Sequence, residues 1–143
     1  MVVRGLRRWW DLTGSERVVI IWSGLLLVFF RAQLLVVPFS SVRATASWLA
    51  RSRGARRPSA PRTGELVESV ARRIPGATCL PIALTGYVVL SRAGWAPVLR
   101  IGVARGARSV EAHAWVEVGG VVAVGGTESA RFTVVEGKDI MSC

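Results

Sequence analysis

Cys79 and His113 are the residues of this chain equipped for covalent chemistry. His113 is the only histidine, and the one other cysteine, Cys143, is the last residue. Cys79 opens an apolar run with helical character, Cys79-Leu-Pro-Ile-Ala-Leu-Thr-Gly-Tyr-Val-Val-Leu90. His113 sits in an alternating, strand-like run, Glu111-Ala-His-Ala-Trp-Val-Glu-Val118. A thiol attacks an acyl carbon as its thiolate, and it needs a base to become one. A helix N-terminus stabilises the thiolate and an imidazole takes its proton. Pro81 is tolerated in a first helical turn, where its missing N–H would be unpaired in any case. The remaining first-turn N–H groups can receive the oxyanion of a tetrahedral intermediate. The pair therefore points to acyl transfer through a thioester.

The alternation around His113 puts Ala112, Ala114, Val116 and Val118 on one face of a strand. Glu111, His113, Trp115 and Glu117 lie on the other. A metal centre is not indicated, because there is no second histidine and Cys143 is remote in sequence. Two cysteines make no disulfide framework, and a Cys79–Cys143 bridge would consume the nucleophile. The cysteine usage fits a reduced, cytosolic protein.

The elements that must position this pair follow from periodicity and breakers. Glu65–Ile74 carries Leu66, Val67, Val70 and Ile74 at helical spacing, and Pro75-Gly76 breaks it. Cys79–Arg92 is a second helix, ended at Ala93-Gly94. Pro97–Ala104, Ala112–Val118 and Val121–Val124 are strands, and Gly119-Gly120 is a two-residue hairpin turn. Phe132–Val135 is a candidate last strand. Helices followed by an antiparallel sheet give an α+β arrangement.

Upstream, Asp11-Leu-Thr-Gly-Ser-Glu16 signals a helix start, with Thr13 or Ser15 as N-cap. Residues 18–30 are uncharged, and their thirteen residues span roughly 20 Å as helix, short of a bilayer core of about 30 Å. Extending the segment to Phe39 encloses Arg31 and Gln33, so an interfacial or buried helix is expected, ended or kinked by Pro38. A short helix is expected over Val42–Arg51. Residues 51–64 are rich in Arg, Pro, Ser and Gly and are expected to form a solvated linker. This divides the chain into a helical basic region, 1–62, and a core, 63–143.

Charge follows the same division. Across 143 residues the net charge is +10. Residues 1–62 hold 11 Arg against Asp11 and Glu16, whereas residues 63–143 are nearly balanced. Nucleic acid is not the expected partner: lysine is almost absent, and there is neither zinc-ligand spacing nor an aromatic RNA-binding signature. Arginines bracketing an apolar segment fit an anionic membrane surface or an acidic peptide better.

The runs Cys79-Leu-Pro-Ile-Ala-Leu84, Gly94-Trp-Ala-Pro-Val-Leu-Arg-Ile-Gly-Val103 and Glu111-Ala-His-Ala-Trp-Val-Glu-Val-Gly-Gly120 resemble the lasso-peptide biosynthesis B proteins. The likeness covers about residues 65–128, and it is to the stand-alone leader-peptidase form. It implies a transglutaminase-like, papain-like core and a Cys–His–Asp peptidase that removes the leader from a ribosomally made precursor. Cys79 takes the nucleophile position and His113 the base. Implied partners are the precursor's leader, a leader-binding recognition protein and a lasso cyclase. ATP is used by that cyclase, and no cofactor is implied for this chain.

The family's acid lies about a dozen residues after the histidine. Here Val121-Val-Ala-Val-Gly-Gly-Thr127 offers no carboxylate. A Gly119-Gly120 hairpin would set His113 opposite Gly126, where no side chain could orient the imidazole. Glu128, then Thr127, are the candidates for third member, with a backbone carbonyl or water as the other means. Glu117 shares the face of His113 at roughly 13 Å. Trp95 and Trp115 are candidate walls of a peptide cleft, and the Arg51–Arg62 stretch is a candidate dock for an acidic leader. A transglutaminase-like acyltransferase and a catalytically weak scaffold of the maturation complex are the alternative functions.

Overall fold

The chain enters its first long helix through a complete capping box. The Thr13 hydroxyl accepts from the Glu16 backbone N–H, and the Glu16 carboxylate accepts from the Thr13 N–H. In the computed structural model, which describes residues 8–51, 58–126 and 132–136, this helix (α1) runs Gly14–Val36. It ends just before Pro38, whose ring cannot continue a helix. At 23 residues it is long and apolar enough to cross a membrane by length and composition. One face is instead packed within the protein, with Leu27 and Phe30 fully buried.

Three more helices follow: α2 (Phe39–Leu49), α3 (Ala60–Ala71) and α4 (Cys79–Arg92). α1 packs on α3 and α4. Val19, Leu26 and Phe30 of α1 share one core with Leu66 and Val67 of α3 and with Leu84 and Val88 of α4. The linker expected over residues 51–64 is therefore shorter than its composition suggested. Ser59 caps α3, with its hydroxyl accepting from the Arg62 N–H, and Pro61 sits in the first turn. Helix α3 runs unbroken across 62/63, so the expected division of the chain falls inside an element. Arg62 donates to Glu16 at 2.6 Å and to Glu65 at 3.2 Å, tying α3 to the start of α1.

The remaining elements are β1 (Pro97–Arg105), β2 (Val110–Val118), β3 (Val121–Val124) and β4 (Thr133–Glu136). They form one antiparallel sheet in the order β3-β2-β1-β4. α4 packs on β1 and β2, and α3 packs on β3. The α+β expectation holds. The β2–β3 turn is Gly119-Gly120, both with positive φ, which lets the two-residue hairpin match the strand twist.

The β2–β3 register departs from a plain hairpin. Val118 pairs with Val121 and Glu117 with Val122, but Val116 pairs with Val124, so Ala123 is bulged. A bulge moves every later residue by one position. The expected pairing of His113 with Gly126 is accordingly not made. After Val124 the chain turns through Gly125 and Gly126, both again at positive φ.

Candidate functional site

Cys79 is the first residue of α4, and its thiol is free and half-buried. Thr78, the N-cap residue, makes no side-chain cap hydrogen bond. Pro81 has no N–H, and the Ile82 N–H is already paired with the Thr78 carbonyl. Among the described residues, the Cys79 and Leu80 N–H groups are thus left uncapped at the positive end of the helix dipole. That is a terminus suited to a thiolate and to an oxyanion.

His113 comes from the middle of β2. It lines one cleft of about 390 Å³ with Cys79, Glu68, Arg72, Gly125 and Gly126. Its ring stacks on those of Trp115 and Phe132, with centroids 5.9 and 5.1 Å away and planes inclined by 21° and 30°. Its Nε2 is 3.0 Å from the Gly125 carbonyl oxygen. A carbonyl can only accept, so Nε2 carries the proton in that contact. Neutral His113 then presents Nδ1 as a bare base. Of the means considered for holding the imidazole, a backbone carbonyl is the one found among the described residues.

Gly125 lies twelve positions after His113, at the distance where the resemblance puts an aspartate. A side chain has no room there. Its φ is +105°, and a Cβ would lie 2.4 Å from the Trp115 Cβ. The Gly125 N–H donates to the Glu68 Oε1 at 3.0 Å. Glu68 and Phe132 were not singled out in the sequence, and neither carries a motif. Thr127 and Glu128 lie outside the described residues.

Neither candidate tryptophan lines the cleft. Trp115 is 3% exposed, and its Nε1 donates to Glu117. It backs the imidazole from within the protein. Trp95 packs against the core and donates to the Pro58 carbonyl. Glu117 is engaged by Trp115 and by Arg100, at 3.3 Å. In the Arg51–Arg62 stretch, residues 52–57 lie outside the described residues, and Arg62 is held by Glu16 and Glu65.

A thiol on an uncapped helix terminus, facing one cleft with an Nε2-anchored imidazole, is the arrangement of a thiol acyl-transfer enzyme. The comparisons with known proteins agree at that level. The model of the Transglutaminase-like superfamily matches residues 24–137, most of the chain, and the chain belongs to that superfamily. The superfamily includes cysteine peptidases and acyltransferases. No curated protein and no solved structure matches the chain at a significant level.

Proposed function

We propose that this transglutaminase-like protein is a cysteine peptidase that cleaves the leader from a ribosomally synthesised lasso-peptide precursor. The observation that carries the proposal is the pairing at one cleft of Cys79, on an uncapped helix terminus, with His113, held through Nε2. The Cys-Leu-Pro and Glu-Ala-His-Ala-Trp-Val-Glu motifs supply the choice of substrate class.

In this mechanism His113 Nδ1 takes the proton of Cys79 Sγ. The thiolate adds to the scissile carbonyl carbon, and the Cys79 and Leu80 N–H groups receive the oxyanion. The imidazolium then gives its proton to the leaving amine, and the leader remains as a thioester. Water, deprotonated by Nδ1, adds to the thioester and expels the thiolate. A leader-binding recognition protein would deliver the precursor, and an ATP-using cyclase would close the released core.

The test is mass spectrometry of the precursor incubated with the protein and the leader-binding partner. Wild type should release the leader and Cys79→Ala should not, with circular dichroism unchanged. Cleavage by Cys79→Ala, or none by wild type, overturns the proposal. Transfer of the leader to an added amine in preference to water would make the enzyme an acyltransferase.

A further inference from the structure

An imidazole base is only as well placed as the group holding its far nitrogen. Here that group is a carbonyl on a turn of two glycines, the backbone with the greatest freedom to swing. Among the described residues, one side chain besides His113 hydrogen-bonds to the turn's backbone. Glu68 reaches from α3 to accept the Gly125 N–H, bridging two segments 57 residues apart. Glu68 also lines the cleft beside Cys79 and His113.

We infer that Glu68 is a positioning residue: it fixes Gly125, whose carbonyl keeps the proton of His113 on Nε2 and leaves Nδ1 free for Cys79. A carboxylate thus serves this site without touching the imidazole, through a peptide that occupies the place of the missing acid. The inference rests on the thiol-site reading above, and its primary test needs no turnover.

Because His113 is the only histidine, protein made with 15N-histidine shows a single imidazole. Above the imidazolium titration, wild type should show the Nε2–H tautomer. Glu68→Gln, which keeps an acceptor for the Gly125 N–H, should preserve it. Glu68→Ala should give a tautomer mixture. Its kcat for leader cleavage should fall on the order of tenfold to a hundredfold, part of what a positioned base contributes, with KM little changed.

A wild-type Nδ1–H tautomer overturns the inference with no variant required, even if Glu68→Ala does not fold. So does an unaltered tautomer in folded Glu68→Ala, or a mixture produced by Glu128→Ala but not by Glu68→Ala. Should wild type show the Nε2–H tautomer yet cleave no leader, the peptidase proposal fails and this one stands.

A separate observation concerns the outer face of α1. Val18, Ile21, Leu25, Val28, Phe29 and Leu35 repeat at helical spacing, each between 44% and 84% exposed. Trp10, Trp22 and Trp48 are exposed as well. Residues 1–62 carry 11 Arg against two carboxylates. The geometry points to an anionic lipid surface as the partner of this face, with α1 lying in the interface. Apolar side chains would enter the acyl boundary, tryptophans would sit at headgroup level and arginines would meet lipid phosphate. A spanning orientation would strip Leu26 and Phe30 from the core they share with α3 and α4.

The full chain should co-sediment with phosphatidylcholine vesicles containing phosphatidylserine, and less with phosphatidylcholine alone or at high salt. Leu25→Glu/Val28→Glu should abolish binding while leaving the thermal midpoint near wild type. A wild type that stays in the supernatant overturns the assignment. Resistance to alkaline extraction would overturn it in favour of a spanning helix. A lipid-independent dimer dispersed by the same double variant would put a second copy on this face.

Discussion

Helices α1 and α4 begin in opposite ways. At α1 the Thr13–Glu16 capping box occupies first-turn donors, and Arg62 adds a further tie to Glu16. At α4 the N-cap Thr78 makes no side-chain bond, and Cys79 takes the next position. Both starts carry a residue able to cap. Capping is worth about 1 kcal/mol to a helix, so an uncapped start forgoes stability. The contrast teaches that the two termini are built differently: one closes an element against the core, and the other, in the proposed mechanism, keeps its N–H groups for a charge that forms during reaction.

The largest effect should come from removing what the open terminus serves. Cys79→Ala should lower leader cleavage by about 10⁴-fold or more, since loss of the nucleophile ends covalent catalysis. Its thermal midpoint should stay close to wild type, because the side chain is small and only half-buried. Quantitative mass spectrometry and a thermal melt check both statements. A cleavage rate within tenfold of wild type would remove the mechanism.

The next variant closes the open terminus without touching the thiol. Thr78→Asp, at an exposed position, supplies both a side-chain acceptor and a negative charge to the first turn. A carboxylate there should favour the neutral thiol over the thiolate. Alkylation of Cys79 by iodoacetamide at neutral pH should slow by about tenfold, the effect of one pKa unit on the thiolate fraction. Unchanged alkylation would mean that the helix terminus does not activate the thiol.

How much of this was legible in the sequence differs by residue. Cys79 and His113 stand out because His113 is the only histidine and the one other cysteine is the last residue, and the α4 start at Cys79 was readable from the apolar run that follows. A backbone carbonyl was among the means considered for holding the imidazole, but which one was not readable: no residue type marks it, and it arrives through a single bulged residue, Ala123. Glu68 lies outside the apolar set Leu66, Val67, Val70 and Ile74, so periodicity gives it no role, and only the packing of α3 on β3 brings it to Gly125.

That packing also explains the early start of α3. Gly64, a nominal helix breaker, is where α3 meets the sheet: a Cβ there would lie 1.8 Å from the Ala123 carbonyl oxygen. Composition over residues 51–64 suggested a linker, but Ser59 and Pro61 were helix-start signals within it.

The smallest effect belongs to the closed terminus, and it should appear in stability alone. Hydrogen bonds from Arg62 and from the Thr13 backbone hold the Glu16 carboxyl below the usual carboxylate range. A carboxyl depressed on folding contributes stability above its unfolded pKa and loses that contribution as pH falls through the folded value. Glu16→Gln should therefore cost about 1 kcal/mol near neutral pH, the scale of a helix cap plus a partly exposed ion pair. The gap between the two proteins should close on acidification below the usual glutamate range. Urea unfolding at a series of pH values measures it. Leader cleavage at neutral pH should be unchanged, because this end of α1 supplies no group to the cleft. A cleavage rate that fell with Glu16→Gln, at matched folded fraction, would show that the two helix starts are coupled and that the contrast between them is drawn too sharply.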